Sequence, residues 1–386
     1  RFSLAAWLIT ASQAQLPLSG AYGIHDPSTI HKSAGSYFCF GTGAGIPSLS
    51  STDLKQWNPA GTVFTTPPAW TYAAVSGFDG SFWAPDIAYF NGKYHLYYSI
   101  SRWGTKDSAI GLATSPTLVN PVWTDQGKVV QSDAATEAGP DTDYTTYNCI
   151  DPAVLMDSNG RVWLAFGSYF SGIAIREINP ATGKPLNGTT TLIASNAVGG
   201  TGAKQEAASI FKSGNYYYLL VNFGQCCSGV ESTYHIRVGR SLSITGPYLD
   251  KNGVSMTSGG GTTILESTGR YIGPGHAGVF ADNNRWWLGH HFYDGNVSGA
   301  ARLGIREVSW SVDGWPVVSG EWQASYPFDI DGRDQQGAFP ATLSGGASIA
   351  VDPDRGKVLD LPGNGAHVGF PVPVGKARSF AAWVKW

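Results

Sequence analysis

Four acidic side chains and one histidine recur in a repeated pattern along this 386-residue chain. Asp26 opens DPSTIHKSAGSYFCFGTG, Asp86 lies in PDIAYFNGKYHLYYS, Asp151 opens DPAVLMDSNGRVWLAFGS, Glu206 opens EAASIFKSGNYYYLLVNF and His276 opens HAGVFADNNRWWLGHHF. Brought together, such a set suits hydrolysis of a glycosidic bond. One carboxylic acid protonates the leaving oxygen, and one carboxylate activates water or attacks carbon. A single Asp-Pro more often marks a turn at a strand entry. The shared phase carries the signal, because gathering like charges is costly without a functional or ionic reason.

The segments around these residues each read as a β-hairpin. Asn91-Gly92, Asn159-Gly160 and Ser213-Gly214 are residue types that accept positive φ at hairpin corners, and the alternating apolar and aromatic positions after them fit half-buried strands. The repeats start about 55 to 70 residues apart, room for four strands and their loops, which predicts an all-β protein built as a five-bladed β-propeller. The innermost strand of each blade lines a central channel, so Asp26, Asp86, Asp151, Glu206 and His276 are expected to face one axis. Blades one and four are not neighbours in a ring of five. Asp26 and Glu206 should therefore face each other, and a gap of roughly 6.5 to 9.5 Å would leave space for water and predict inversion. Asp151, on the blade next to Glu206, would raise the pKa of its neighbour. This assigns Glu206 as general acid, Asp26 as base, and Asp151 as pKa modulator and sugar-orienting carboxylate. Asp86 either joins them or has a structural hydrogen-bonding role, since its repeat reads WAPD rather than DP.

Composition agrees with short strands and many turns: there are 50 Gly and 22 Pro, and only 14% of residues are charged. A formal charge of −3 without a basic run gives no footprint for nucleic acid or an anionic membrane, and a neutral polymer is the easier substrate. Residues 1–14 read as a signal-peptide remnant with a basic start, a short apolar run and small residues near its end, which predicts a secreted, extracellular protein. Asn187-Gly188-Thr189 and Asn296-Val297-Ser298 are glycosylation sequons compatible with export. Four cysteines are too few for a disulfide framework; adjacent Cys226 and Cys227 form either a vicinal disulfide or two buried thiols.

The strings HDPSTI, WAPDI, SAIGLATS, NCIDPAV, FGSYFSGI, STYHIRVGRS, GPYLDKNG, GPGHAGV and DGWP resemble glycoside hydrolase family 43, and within it the endo-1,5-α-L-arabinanases, from about Gly20 to about Tyr326. The resemblance implies a five-bladed propeller, an inverting mechanism, and the same roles for Asp26, Asp151 and Glu206, with Asp26 and Asp151 also touching the sugar. It adds one axial Ca²⁺, coordinated largely by water, with His276 as a ligand; from the residues alone His276 reads as a satisfied axial histidine, since Ca²⁺ selects oxygen. It further suggests sugar contacts at Gly111, Asn148, Ser168 and Tyr169, with a simple strand kink as the other reading of Gly111. Trp83 and Trp103 are candidate faces for sugar stacking, although most of the 14 Trp must pack between blades. Cys149 stands where the family motif often has a small residue.

The chain thus divides into a propeller over 20–327, a Gly-rich linker over 328–346 and, over 347–386, strand runs that resemble the opening of a laminin-G-like β-sandwich cut short. The leading functional reading is a monomeric endo-acting arabinanase. Exo-arabinanase, α-L-arabinofuranosidase and β-xylosidase activities share its chemistry, while a silent sugar-binding propeller or a protein-binding scaffold would not need the axial carboxylates.

Overall fold

The structure is a computed structural model that describes residues 15–132, 144–186, 189–196, 204–318, 342–352, 356–360 and 367–369. The signal-like segment, Asn187 of the first sequon and most of the linker and C-terminal stretch lie outside the described residues. Two compact units are present, 1–319 and 320–386.

The first unit holds five mainly antiparallel sheets, the five blades predicted from the repeats. Blade one runs outward through His31–Ser33, Ser36–Phe40, Pro47–Ser51 and Gln56–Thr62, and blade two through Ser81–Phe90, Lys93–Ser101, Ser108–Ser115 and Thr124–Ser132. Blade three uses Ala153–Met156, Val162–Phe166 and Ile173–Asn179, with Lys184–Pro185 and Thr191–Ala194 both pairing to its third strand. Blade four comprises Gln205–Ser213, Tyr216–Phe223, His235–Ser241 and Thr262–Leu265, and blade five Tyr271–Asp282, Arg285–Asp294, Ala300–Trp310 and Pro316–Val318. At the blade-two tip Asn91 and Gly92 take φ of 49° and 76°, as a tight hairpin requires.

Each blade has two apolar faces, and each face is covered by the next blade. Five clusters of buried side chains result. Phe38, Phe40, Phe82 and Leu96 join blades one and two; Tyr97, Leu112, Leu164 and Phe166 join two and three. Trp163, Ile175, Leu219 and Val221 join three and four, and Leu220, Val238, Val279 and Leu288 join four and five. Trp287, Leu303 and Ile305 of blade five meet Ile30, Cys39, Leu49 and Trp57 of blade one, so the ring is closed. Residues 16–22 fasten this last junction. Leu16 N–H donates to Ile305 O at 2.8 Å and Leu303 N–H to Tyr22 O at 2.8 Å, while Ser19 and Gly20 pair in parallel with Gln56 and Trp57.

At the hub, one residue per blade takes positive φ as the chain enters or bulges the innermost strand: Asp26 (48°), Ala84 (25°), Asp151 (55°), Ala207 (55°) and His276 (49°). This turns each amide toward the preceding blade. Asp26 N–H donates to His291 Nδ1 (3.1 Å), Ala84 to Thr42 Oγ1 (2.8 Å), Asp151 to Ser99 Oγ (3.0 Å), Ala207 to Asp151 Oδ2 (3.1 Å) and His276 to Asn222 Oδ1 (3.0 Å). Non-glycine residues in this region cost of order 1–3 kcal/mol and persist where their surroundings fix them. Here a buried amide gains an acceptor at each site.

Among its described residues the second unit contains two small antiparallel pairs, Thr342–Ser344 with His367–Gly369 and Ser348–Asp352 with Gly356–Asp360. The first of these strands lies within the stretch read from sequence as linker.

Gly278 lets the inner strand of blade five approach blade one: an added Cβ would lie 2.6 Å from Thr29 Cα and 2.8 Å from its Oγ1. Gly278→Ala is expected to destabilise the propeller by about 1–3 kcal/mol, the usual cost of overpacking. Urea unfolding followed by tryptophan fluorescence measures it.

Candidate active site

The hub pattern delivers three carboxylates to one place. Asp26 and Asp151 are themselves positive-φ residues, and Glu206 immediately precedes Ala207. Asp151 Oδ2 accepts the Ala207 amide, which ties the two acidic positions of blades three and four together.

Asp26 has the most polar surroundings. Its Oδ2 accepts from Thr42 Oγ1 at 2.6 Å and lies 2.7 Å from His25 Nδ1; its Oδ1 is 3.5 Å from Nδ1 of both His276 and His291. Burial opposes ionisation of Asp26, but the facing His25, its hydrogen bond, and then His276 and His291 outweigh it and hold the carboxyl well below the usual range. Asp151 moves the other way. Burial, then repulsion from Glu206 and Asp26, raises its pKa well above the ordinary value. Glu206 is also raised, first by burial and in part by Asp26, against hydrogen bonds from Ser168 Oγ to Oε2 (2.6 Å) and Tyr234 Oη to Oε1 (2.9 Å). The cluster therefore sets one carboxylate tuned toward ionisation beside a pair tuned toward holding a proton, the arrangement that acid–base chemistry requires.

Asp86 belongs to a different layer. The positive-φ residue of blade two is Ala84, two positions earlier, and Asp86 instead accepts the amides of Thr29 at 3.0 Å and Val154 at 2.9 Å. It thereby joins the inner strands of blades one, two and three, the structural alternative of the two sequence readings. Similarly, Ala207 rather than Glu206 is the true counterpart of Asp26. With His276, Asp86 lines an axial cavity together with Ser28, Thr29 and Ser209.

The sequence pattern of glycosyl hydrolases family 43 matches residues 20–316, from blade one to the start of the last strand of blade five. The chain belongs to this family. It is 42% identical to the extracellular endo-α-(1→5)-L-arabinanase 1 of Bacillus subtilis over 81% of this chain and 94% of that protein. Identity to the extracellular exo-α-(1→5)-L-arabinofuranosidase of Cellvibrio japonicus is 35%, over 78% of this chain and 88% of the relative. The solved family 43 endo-arabinanase from Bacillus licheniformis superposes with a TM-score of 0.72 at 40% identity, covering 78% of this chain and 99% of that one.

Within this family 43 chain the remaining expected residues fall into three groups. Ser168 holds Glu206 directly, and Asn148 supports it from behind: Asn148 Nδ2 donates to Ser168 O at 3.3 Å and its Oδ1 accepts from Ser108 Oγ at 2.6 Å. Tyr169 is half-buried, has φ of 52° and donates its amide to Gln205 O. Trp83, next to Ala84, meets Trp103 edge to face at 6.1 Å, and Trp103 is 71% exposed. Gly111 lies inside blade two, where an added Cβ would sit 2.4 Å from Cζ of the buried Tyr98 ring, so its missing side chain serves packing. Cys149 is a buried free thiol whose amide donates to Ser108 Oγ and Ser132 Oγ, while Cys226 and Cys227 form a vicinal disulfide.

Sequence reasoning missed Thr42, Tyr234, His25, His291 and Tyr293. His25 stands in HDPSTI and Tyr234 in STYHIRVGRS, so the motifs contained both, but residue type alone assigns neither a partner. His25, Asp26 and His291 offer ligand atoms within 4.8 Å of one another. Two of those atoms are already engaged, His25 Nδ1 with Asp26 Oδ2 and His291 Nδ1 with the Asp26 amide, so the trio is a hydrogen-bonded network.

Because its folded pKa is raised, the Glu206 charge weakens the fold. Relative to Glu206→Gln, the wild-type deficit vanishes below the unfolded-state glutamate pKa of about 4.3, grows as pH rises, and is complete above the raised folded value. Glu206→Gln is thus expected to melt above wild type at pH 7 and level with it near pH 4, by calorimetry.

Proposed function

We propose that this chain is an inverting, endo-acting 1,5-α-L-arabinanase, in which Asp26 activates water, Glu206 protonates the leaving oxygen and Asp151 orients the sugar and keeps Glu206 protonated. The observation that carries this reading is the opposed tuning of the hub carboxylates, Asp26 downward and Asp151 with Glu206 upward. Hydrogen bonding favours Glu206 over Asp151 as the group that gives and regains a proton. The Ser168 and Tyr234 hydroxyls can rotate to suit a carboxylate or a carboxylic acid, whereas Asp151 Oδ2 faces a main-chain N–H that can only donate. Ser168, Asn148 and Tyr169 then orient Glu206 and the sugar around it, and Trp83 with Trp103 supplies an aromatic face. The substrate follows from the named activities of the relatives at 42% and 40% identity. Export is supported by the vicinal disulfide and by the extracellular naming of two relatives.

An axial Ca²⁺ is part of this proposal. His276 fits it in a limited way. Burial pushes its pKa down, favouring the neutral ring that ligates, Asp86 lines the same cavity, and Asp26 Oδ1 lies 3.5 Å from its Nδ1. Among the described residues no group of three or more His, Cys, Asp or Glu that includes His276 converges as a ligand set, so water would complete the coordination. Such an ion supplies positive charge that offsets the buried carboxylates.

Glu206→Gln and Asp26→Asn are each expected to lower kcat on linear arabinan by about 10²–10⁴-fold, the usual worth of a general acid or base. The first-formed wild-type product should carry the β-anomeric configuration by NMR, and early products should be mixed oligosaccharides. Arabinose alone would establish exo action instead, and a retained α-anomer would overturn inversion. Chelation should lower the melting temperature and added CaCl₂ restore it, since a ligand of the folded state stabilises by mass action, about 2.7 kcal/mol at one hundred times Kd. An unchanged melting temperature would remove the ion.

A further inference from the structure

Starting from Asp26, a line of hydrogen bonds crosses three blades and ends at the vicinal disulfide. Asp26 Oδ2 lies 2.7 Å from His25 Nδ1; His25 Nε2 lies 2.7 Å from Tyr293 Oη; and Tyr293 Oη accepts the Cys227 amide at 2.7 Å. Cys227 belongs to the loop after the second strand of blade four, Tyr293 to the second strand of blade five, and His25 to the entry of blade one.

Charge at one end and burial at the other act on the protons in this line. An ionised Asp26 only accepts, so His25 Nδ1 carries hydrogen; burial lowers the His25 pKa, but the facing Asp26 outweighs it and raises it. Burial pushes the Tyr293 phenol upward and keeps it protonated, so its oxygen and His25 Nε2 share a hydrogen bond at 2.7 Å. The Cys227 N–H occupies a lone pair of the same hydroxyl oxygen and so anchors that oxygen against His25. His25 is further held by stacking on His291, ring centroids 4.2 Å apart. Cys227 takes φ of 64°, a conformation that the bond between adjacent cysteines constrains and that aims its amide at Tyr293.

We propose that His25 and Tyr293 are positioning residues that orient the Asp26 carboxylate toward its water, and that the Cys226–Cys227 disulfide fixes the Cys227 amide at the far end of the line, making hydrolysis sensitive to thiol reduction. This rests on the reading of Asp26 as base. In the reduction a dithiol gives two electrons and two protons to the S–S bond; Cys226 and Cys227 become thiols and the reagent becomes a disulfide. The other two of the four cysteines, Cys39 and Cys149, are free, so this is the one disulfide a reductant meets.

The test combines Tyr293→Phe, which keeps the ring and removes the hydroxyl, with reduction by dithiothreitol. Tyr293→Phe is expected to lower kcat on linear arabinan about tenfold with KM within about twofold, because misplacing a reacting group costs turnover rather than binding. Reduction should lower wild-type kcat by a similar factor and leave Tyr293→Phe unchanged, the non-additivity expected of groups acting in one line. Circular dichroism of each sample confirms that the fold is kept. A Tyr293→Phe enzyme with wild-type kcat would overturn the proposal. So would equal losses on reduction in both backgrounds, which would route the loop's influence through another residue such as Tyr234. A wild-type enzyme inactive on arabinan, or a fully active Asp26→Asn, would instead reject the functional reading beneath it.

Discussion

Five main-chain N–H groups, each turned by a positive φ toward a side chain of the blade before it, set the geometry of this propeller's hub. The acceptors differ in kind: an imidazole, two hydroxyls, a carboxylate and an amide. What stays fixed is the requirement that a buried donor find a partner. Blade three meets it in its own way, because Asp151 both gives its amide to Ser99 and accepts the amide of Ala207. A residue of the proposed catalytic set is therefore also a structural link between blades three and four. Chemistry and architecture share the same atoms there.

The electrostatics follow from that crowding. Placing Asp26, Asp151 and Glu206 together out of water raises every one of them unless something local compensates. Asp26 is the one next to histidines, and it alone is driven down. Glu206 is hydrogen-bonded by two hydroxyls and feels His25 more weakly, which softens the effect of burial without reversing it. Asymmetry between otherwise similar acids thus arises from which neighbours each blade supplies: Thr42 from blade one, Ser168 from blade three, Tyr234 from blade four and His291 from blade five.

Much of this was legible in the chain. Hairpin corners, alternating apolar runs and a repeat long enough for four strands were sufficient for five blades, and the Asp-Pro openings marked Asp26 and Asp151 correctly as axial. The phase of blades two and four was not legible. Asp86 and Glu206 stand out by charge, but the equivalent positions are Ala84 and Ala207, whose shared backbone conformation has no signature in residue type. Gly111 illustrates a second limit: a glycine permits close approach, yet sequence does not say of what, and here the approaching group is Tyr98. Partners distant in sequence, such as His25 with Tyr293, become visible only once blades five and one are side by side.

The strand-like segment 16–22 fastens blade five to blade one, although almost 290 residues separate Leu16 from Ile305. It leaves the ribosome early and finds its partner late, since blades generally fold as their own local hairpins before contacts of such long separation form. Until then Trp57, Leu49 and Ile30 have no blade-five surface to cover them. Synthesis of this protein therefore includes an interval in which one apolar flank of the nascent ring is bare at each end, and the closing of the circle, more than the making of any blade, is the step at which a molecular chaperone has most to protect.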